Sequence, residues 1–362
     1  MIRVAILSFW HVHGRDYARE AEAHAETEVV AVWDEDPDRG RTEAKKRDVP
    51  YFESLDALLA RPDIDGVIVT TPTSMHRDVM VAAASAGKHI FAEKVLAATL
   101  HEAEEILQAV EHSGVKLVVS MRRLADASTR EIKDVLDSGA LGDIALLRVR
   151  DSHGFALPTR DKPRGWLPDQ FYSREQAQGG ALIDLCHPVY LALHFLGLPD
   201  TVGAALGRVT GREVEDNAVV TLGYSGGALG VVETGYVARY SPFSIEVHGT
   251  QGSVLYSETG IGELVDRRFP GDASADPSAG PDGKLRIRSR NIEGATDRWL
   301  VREVRAEAKP SAFEQWVGHI EHGTTATENL ALALDLTAVV EAAYRSAAGG
   351  RTVRPDSLER AV

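Results

Sequence analysis

The chain has 362 residues, of which 44% are hydrophobic and 26% charged, and its length favours two domains at about 150 residues each. Its net charge of −14 argues against nucleic acid or an anionic membrane as a partner. The single cysteine, Cys186, the short apolar run at the N-terminus and the lack of any stretch of about 18 apolar residues lead us to expect a cytoplasmic protein without disulfides.

The N-terminal third alternates short apolar runs with longer amphipathic stretches, which is the pattern of parallel strands joined by crossover helices. The runs lack polar alternation, so both faces of the sheet should be covered. The predicted strands are Arg3–Ser8, Glu28–Trp33, Gly66–Thr71, His89–Glu93 and Lys116–Met121. Residues 1–122 are therefore predicted to form a doubly wound α/β domain.

The remainder, residues 123–362, is predicted to be a second, α+β domain with a large open, mostly antiparallel sheet. A helix over Thr129–Ser138 comes first, and the strands that follow are separated by short turns containing glycine, which favour antiparallel meanders. These strands are Ile144–Asp151, Thr201–Val209, Asn217–Leu222, Leu229–Val237, Phe243–His248 and Gly252–Tyr256. Residues Gly271–Gly283 are expected to form a surface loop, and the C-terminal part to be helical.

The turn after the first predicted strand is where a dinucleotide-binding domain carries its glycines, because glycine lets the backbone approach the pyrophosphate. This chain has SFWHVH there, from Ser8 to His13, and its first glycine is Gly14. The aromatic pair in this turn could equally be packing residues. The two histidines could form a metal-binding pair, but no third ligand lies nearby in the sequence, so no metal site is predicted.

Asp34 ends the second predicted strand, about 20 residues beyond the turn, where a carboxylate can accept hydrogen bonds from the adenosine ribose. A carboxylate there would repel a 2′-phosphate, which favours NAD over NADP. Asp34 could equally be an exposed residue that caps the following helix.

Four further segments give the chain a resemblance to a known family. They are Thr71-Pro72-Thr73 followed by His76, AGKHIFAEK at 86–94, GGALID at 179–184 followed by His187, and AAYRS at 342–346. In this order and spacing the chain resembles the glucose-fructose oxidoreductase, inositol dehydrogenase and MocA (Gfo/Idh/MocA) family. Its members pair an N-terminal Rossmann domain with a C-terminal domain built on a large open sheet.

The resemblance implies an NAD(P)-dependent oxidoreductase that transfers hydride between the nicotinamide and a secondary alcohol of a sugar, cyclitol or related polyol. The implied cofactor contacts are Ser8, Phe9, Trp10, His11, Val12, Asp34, Thr71, Pro72, Thr73, His76, Glu93 and Lys94. The acidic chain favours a neutral substrate. A homodimer or homotetramer is expected, partly because an exposed sheet face of this size needs covering.

Three residues are implied to carry the chemistry. Lys94, in the family's E-K-P signature, would stabilise the developing alkoxide, although it could instead be a surface lysine at a strand end. His187 would be the general base and Asp184 its orienter, since residues three apart share a helical face. A purely structural Asp–His pair is the alternative. Cys186 is expected to be a packing residue.

The chain departs from the family pattern at two of these positions, besides the turn. Val95 replaces the proline of E-K-P, which removes a rigid turn or cis bond and could shift the aim of Lys94. The histidine lies three residues after the aspartate, where the family has four, a difference of about 100° on a helix. Pro188 could absorb this difference if a helix begins near His187.

Substrate contacts are harder to predict from the sequence. An arginine pair, Arg122 and Arg123, follows the fifth predicted strand, and the candidates that could line a pocket for a sugar are Arg123, His153, Trp166, Tyr172 and Tyr236. A non-catalytic protein that senses nucleotides or ligands on the same fold is the alternative function, supported by the missing glycines and by Val95. Within enzymes, a protein that retains its nucleotide, or a reductase of an imine, enone or diol, is the alternative.

Overall fold

The computed structural model describes residues 1–239, 241–258, 283–304 and 309–358. The loop predicted at Gly271–Gly283 lies outside these residues, except for Gly283 itself. Among the described helices, no single helix is long and apolar enough to cross a bilayer. The segments Arg174–Asp184 and His187–Leu196 reach that length and composition when taken together, but the chain bends by 51° between them.

The N-terminal region is a parallel sheet of six strands with helices on both faces. The strands are β1 (Ile2–Leu7), β2 (Thr27–Trp33), β3 (Tyr51–Phe52), β4 (Gly66–Val69), β5 (His89–Glu93) and β6 (Leu117–Ser120). The helices are α1 (Gly14–Ala23), α2 (Pro37–Arg47), α3 (Leu55–Leu59), α4 (His76–Ser85) and α5 (Leu100–Ser113). The sheet order is β3-β2-β1-β4-β5-β6, so the strand order reverses between β1 and β4, where doubly wound domains have their ligand crevice. The predicted doubly wound sheet is confirmed, and the two-residue β3 is an addition to it.

The second region is built on an eight-stranded sheet. Its strands are β7 (Ile144–Ser152), β8 (Thr201–Gly207), β9 (Asn217–Gly223), β10 (Leu229–Gly235), β11 (Ser244–Gly249), β12 (Gly252–Glu258), β13 (Gly283–Ser289) and β14 (Leu300–Glu303). Its helices are α6 (Ala127–Asp137), α7 (Arg174–Ala177), α8 (Ala181–Asp184), α9 (His187–Leu196), α10 (Ala312–His322) and α11 (Thr327–Gly349). The order is β14-β13-β12-β11-β7-β10-β9-β8, and β7 with β10 is the one parallel pair among the described strands of this second sheet. The predicted mostly antiparallel sheet is confirmed.

The C-terminal helices return to the first sheet. Trp316 of α10 is fully buried, and its ring packs 6.0 Å from that of Phe91 on β5. A Cβ atom on Gly66 of β4 would lie 2.9 Å from the Trp316 ring, so only glycine fits at this position of the strand. Helix α10 therefore covers part of the first sheet. The domain boundary predicted after residue 122 stays a prediction.

Helix α11 connects the two sheets. Glu341 accepts a hydrogen bond of 2.7 Å from the backbone N–H of Leu100 at the start of α5, and Asn329 bonds both backbone polar groups of Val119 on β6. The same helix packs against β8 of the second sheet. These contacts fix the cleft between the two domains, where the candidate site lies.

Candidate active site

The turn after β1 has the backbone shape of a glycine turn without the glycines. Ser8 has a φ of 78°, in the left-handed region that favours glycine. Its hydroxyl oxygen accepts the N–H of Trp10 at 3.0 Å, and its carbonyl accepts the hydroxyl of Thr70 at 2.6 Å. Gly14 is needed beside it, because a Cβ atom there would lie 2.6 Å from the Thr70 hydroxyl oxygen.

Most backbone N–H groups of this turn are already paired inside the protein. Phe9 donates to the Asp34 carboxylate at 2.8 Å, and His11 donates to the Thr70 carbonyl at 3.1 Å. His13 donates to Nδ1 of His11 at 3.2 Å. Phosphate binding at a helix N-terminus depends on free N–H groups, so this turn, as it stands, does not cradle a pyrophosphate.

Trp10 stands where the fingerprint would have its second glycine, and it is buried. Its indole stacks on Phe171 with the ring centres 4.9 Å apart, and its N–H donates to Gln176 at 2.7 Å. The side chain of Gln170 donates to the Trp10 carbonyl at 2.7 Å. The second domain therefore covers the turn with the segment 170–177, and Phe9 and Trp10 are packing residues in this arrangement.

Asp34 does lie at the end of β2, but it is held by the protein. It is 2% exposed, and beyond its bond to Phe9 it forms a close ion pair with Arg39. The cap of α2 is Asp36, which accepts the N–H groups of Asp38 and Arg39, so the expectation that Asp34 could be the exposed cap is wrong. Beside Asp34, the Glu35 carboxylate has one buried oxygen, Oε2, without a hydrogen-bond partner.

The end of β4 carries the predicted Thr71-Pro72-Thr73 stretch. Thr71 is buried and its hydroxyl has no hydrogen-bond partner. His76 opens α4 as predicted, and its ring joins two loops, with Nδ1 2.9 Å from the Val95 carbonyl and Nε2 3.2 Å from the Thr71 carbonyl. Burial lowers the pKa of His76, so the ring is neutral and donates to only one of these two carbonyls. His76 is therefore a support for the crevice wall.

Lys94 crosses from the first domain to the second. Its Nζ lies 3.1 Å from Oδ1 of Asp184 and also donates to the Asp184 backbone carbonyl. The peptide bond from Lys94 to Val95 is cis although no proline follows. Burial alone would lower the pKa of Lys94, but the carboxylates of Asp184 and Glu93 outweigh it and raise the pKa, so the ammonium stays charged. Lys94 is buried in the site, and the alternative of a surface lysine is wrong.

Asp184 is the centre of this cluster. Besides Lys94, it accepts the hydroxyl of Tyr236 on Oδ2 at 2.7 Å, and Nε2 of His11 lies 3.2 Å from Oδ1. Burial would raise the pKa of Asp184, but Lys94 and His11 outweigh it and hold the pKa well below its usual range. The carboxylate is therefore ionised and paired with residues of both domains.

His187 is not a neighbour of Asp184 on one helical face, and this expectation is wrong. Helix α8 ends at Asp184 and α9 begins at His187, with Pro188 in its first turn, as the proline had suggested. The His187 ring bonds through Nδ1 to the Tyr190 hydroxyl at 3.0 Å, and burial lowers its pKa to about 3. Cys186, between the helices, is buried, and burial raises its thiol pKa to about 12, as expected for a packing residue.

A cleft of about 550 Å³ opens onto these groups. Its lining includes Val12, Lys94, His153, Asp184 and His187. The His153 ring stacks on Phe155 at 3.9 Å and lies 5.3 Å from the Tyr236 ring. The structure thus brings the three predicted catalytic residues and His153 to one cavity.

The other predicted substrate contacts are placed differently. Arg123 lines the cleft, but its guanidinium is paired with Asp151 at 3.1 Å and Glu258 at 3.0 Å. Tyr172 packs edge-on behind Tyr236, and Trp166 lies under the ammonium of Lys162, neither being among the lining residues.

The two glycines of the GGALID segment are required by close packing behind the site. A Cβ atom on Gly180 would lie 2.0 Å from the Glu215 carbonyl, and one on Gly179 would lie 2.1 Å from the Tyr344 hydroxyl. The buried Glu215 carboxylate accepts the Gly180 N–H at 2.9 Å and the Tyr344 hydroxyl at 2.6 Å. These contacts set the start of α8 and thereby the position of Asp184.

Four contacts of the site were not predicted from the sequence. Tyr236 and His11 were named as candidates, but not as partners of Asp184, and Tyr17, which donates its hydroxyl to Glu93, was not named at all. Only the spacing of Tyr190 three residues after His187 offered a local signal.

Comparison with known proteins identifies the family. Residues 2–121 match the model of the oxidoreductase family with an NAD-binding Rossmann fold, and residues 129–255 match the Gfo/Idh/MocA C-terminal domain. A dTDP-3,4-didehydro-2,6-dideoxy-alpha-D-glucose 3-reductase of Streptomyces violaceoruber is 30% identical over 83% of this chain and 81% of its own length. A 1,5-anhydro-D-fructose reductase of Ensifer adhaerens is 29% identical over 68% of this chain and 74% of its own.

Solved structures share the fold. A levoglucosan dehydrogenase in complex with NADH and levoglucosan has a TM-score of 0.76 at 20% identity, covering 98% of this chain and 99% of its own. An oxidoreductase of Agrobacterium radiobacter, in complex with NAD⁺, L-tartaric acid and magnesium, has a TM-score of 0.77 at 20% identity with the same coverage. The chain therefore belongs to the Gfo/Idh/MocA family and is an NAD(P)-dependent oxidoreductase.

The residues at the crevice are suited to bind the two ends of a dinucleotide. Two of the buried oxygens without a hydrogen-bond partner, Oε2 of Glu35 after β2 and the hydroxyl of Thr71 after β4, lie at strand ends where such domains bind ribose and nicotinamide. The turn between them lacks the usual cradle, because most of its N–H groups are paired and Trp10 fills the place of the second glycine. The pyrophosphate contact is therefore where this chain departs from the family.

Proposed function

We propose that this member of the Gfo/Idh/MocA family interconverts a secondary alcohol and a ketone on a neutral sugar, cyclitol or related polyol, with NAD preferred to NADP. The observation that carries the proposal is the buried Lys94 ammonium, held between the carboxylates of Glu93 and Asp184 at the wall of the interdomain cleft. A bound nicotinamide would supply the hydride chemistry. The chain's own residues bind the substrate and handle its proton.

Lys94 acts by its charge. Because neighbouring carboxylates raise its pKa, it does not accept the substrate's proton. An ammonium fixed in a water-poor site stabilises the negative charge that develops on a hydroxyl oxygen as its proton leaves. Asp184, anchored by the Tyr236 hydroxyl, holds the ammonium in place, so Asp184 is a positioning residue for Lys94.

His187 is the candidate proton acceptor. Its low pKa means that it is neutral at physiological pH, and it lines the cleft beside Lys94 and Asp184. For Nε2 to accept a proton, the ring hydrogen must be on Nδ1 and be donated to the oxygen of Tyr190, at 3.0 Å. This places Tyr190, and not Asp184, as the residue that orients His187.

The preference for NAD rests on charge at the end of β2. Asp34 and Glu35 stand side by side there, and burial together with the charge of Asp34 raises the pKa of Glu35. Two acidic side chains disfavour a 2′-phosphate, and the Oε2 atom of Glu35, which has no hydrogen-bond partner, offers an acceptor to a ribose hydroxyl. Arg39 neutralises part of this charge, so the preference should be clear but not absolute.

The substrate class rests on the cleft and on the relatives. The lining combines aromatic surface, from His153 and Phe155, with the polar groups of Lys94, Asp184 and His187, a mixture suited to a hydroxylated ring. Relatives named as reductases or dehydrogenases of sugars and inositols support the same class. A screen of neutral polyols, cyclitols and sugars with NAD⁺, followed by nicotinamide absorbance at 340 nm, tests the proposal, which predicts oxidation of at least one of them.

The paired N–H groups of the β1 turn and the buried Trp10 favour one alternative, a sensor that binds a polyol without turnover. Calorimetric titration with the same compounds distinguishes the two functions. Binding without hydride transfer, in protein that has been shown to bind neither nucleotide, would favour the sensor.

We also propose a homo-oligomer in the cytoplasm. The second sheet presents apolar side chains outward, with Val219 45% and Leu229 57% exposed on neighbouring strands, and such a surface is typically covered by another subunit. Light scattering should give a mass of at least twice the 39.2 kDa of the chain, and a monomer at micromolar concentration would contradict this part of the proposal.

A further inference from the structure

Two histidines of the β1 turn meet a glutamate at the end of β5. The candidate ligand atoms of His11, His13 and Glu93 all lie within 4.8 Å of one another. Nε2 of His11 is 3.9 Å from one carboxylate oxygen of Glu93, and Nδ1 of His13 is 3.5 Å from the other. The sequence offered the histidine pair but no third ligand, because Glu93 reaches the turn only through the strand order of the sheet.

The cluster contains buried polar atoms that lack a hydrogen bond. Glu93 is 1% exposed, yet its Oε1 has no hydrogen-bond partner, its nearest cation being the Lys94 ammonium at 3.4 Å. Nδ1 of His13 is also buried without a hydrogen-bond partner. Buried polar atoms are normally satisfied, so an oxygen and a nitrogen that both face this small space indicate a ligand that accepts electron pairs.

We propose that His11, His13 and Glu93 bind a divalent transition-metal ion. Two imidazoles and one carboxylate are a ligand set that holds Zn²⁺ and other first-row divalent ions, and such three-residue sites leave a coordination position open. The position that remains here faces the cleft, whose lining includes both histidines. An oxygen of a hydroxylated ligand in the cleft can occupy it.

Binding of an ion changes one hydrogen bond within the turn. Coordination through Nε2 of His11 puts the ring hydrogen on Nδ1, so the 3.2 Å contact from the His13 N–H to that atom is lost on binding.

The surroundings of the three ligands are suited to a cation. The hydroxyl of Tyr17 donates to Oε2 of Glu93 and fixes its orientation. Metal ligands are typically supported by such second hydrogen bonds. Nε2 of His11 also lies 3.2 Å from Asp184, and this contact is given up when that nitrogen binds an ion. Asp184 and Glu93 share the Lys94 ammonium, so one negative charge is left for the ion to neutralise.

The proposal does not rest on the proposed function, because metal binding can be measured without nucleotide or substrate. Protein purified without a polyhistidine tag is stripped with a chelator, and Zn²⁺ binding is measured by competition with a chromophoric chelator. We expect one ion per chain. Co²⁺ added to the stripped protein should give a visible absorption band that Zn²⁺ abolishes.

Variants locate the ion. His13→Gln and Glu93→Gln should each weaken Zn²⁺ binding by at least about 100-fold, more than is typical for loss of a residue that only supports a ligand. His112→Gln is the matched control, since His112 is exposed on α5, and it should bind like the parent. Circular dichroism establishes that each variant is folded.

Two results would overturn the proposal. One is less than about one fifth of a Zn²⁺ ion per stripped chain at an excess of free metal, where a specific site would be saturated. The other is equal affinity in the parent and in His13→Gln. If Glu93→Gln does not fold, the comparison of the parent with His13→Gln decides, because equal Zn²⁺ affinity in these two proteins refutes the site.

Discussion

The ammonium of Lys94 lies 3.1 Å from the carboxylate of Asp184, and this pair joins the two domains at the wall of the cleft. Lys94 comes from the end of β5 and Asp184 from the end of α8, so both groups are in place only when the domains are packed together. The pair therefore couples the formation of the domain interface to the placement of the charge that the proposed reaction needs.

Replacement of Lys94 by Met should lower turnover by at least about 100-fold, because the developing negative charge on the substrate oxygen loses its counter-charge. The same change leaves Asp184 buried beside His11 and Tyr236 without its cation, which should lower the free energy of unfolding by about 3 to 5 kcal/mol. Steady-state kinetics and chemical denaturation measure the two effects separately.

Lys88→Met is the control for this change, since the Lys88 ammonium bonds the carbonyls of Arg61 and Ile64 away from the cleft. It should cost stability but keep turnover per folded molecule. Equal turnover in Lys94→Met and Lys88→Met would remove Lys94 from the mechanism.

His187→Gln should lower turnover by at least about 100-fold with little effect on nucleotide binding, because the proposed proton acceptor is lost. His194→Gln, in the same helix, is the matched control and should stay within a few-fold of the parent. Turnover and NADH affinity, measured in parallel, check this prediction. A variant that loses both equally would point to a structural role for His187.

Acid should destabilise the parent partly through His187. The pKa of its ring is about 3 in the folded protein and about 6.5 when unfolded. The unfolded chain therefore binds more protons between these values, so stability is complete above pH 6.5 and falls as the pH drops towards 3. The loss from this one group is at most about 1.4 kcal/mol per pH unit. Melting temperatures at pH 7.5 and 5 should differ less in His187→Gln than in the parent.

Trp10→Gly should bind NADH several-fold more tightly, because it restores glycine where the backbone has to approach a pyrophosphate. It should also lower the free energy of unfolding by about 3 kcal/mol, since the indole loses its stacking on Phe171. Trp10→Phe keeps an aromatic ring and is the control. If NADH affinity does not change in Trp10→Gly, the indole does not stand in the place of the pyrophosphate.

The sequence predicted most of the fold because apolar runs and glycine turns are local signals. All five strands predicted for the first sheet are present within two residues at each end. The short β3 gave too little pattern to be predicted. Strands β13 (Gly283–Ser289) and β14 (Leu300–Glu303) follow the loop predicted at Gly271–Gly283 and were not predicted. The alternation of apolar and charged residues in KLRIRS, which forms β13, was missed because the segment comes directly after this loop-like sequence.

The sequence predicted which residues form the site, but it did not predict which of them contact one another. Lys94, Asp184 and His187 do meet at one cleft. The bonds that Asp184 makes to His11 and Tyr236 join residues far apart in the chain, and spacing carries no information about such contacts. The prediction that Asp184 and His187 share one helical face was wrong for a local reason. It assumed one continuous helix, and the structure has two short helices, α8 and α9, at this place.

We expect this chain to bind a nicotinamide dinucleotide although most N–H groups of its β1 turn are already paired. Titration of the purified, nucleotide-free protein with NADH and, separately, NADPH, followed by nicotinamide fluorescence, tests it most directly. We expect micromolar affinity for NADH and clearly weaker binding of NADPH. No binding of either nucleotide by folded protein would contradict it and leave the polyol sensor as the function of this site.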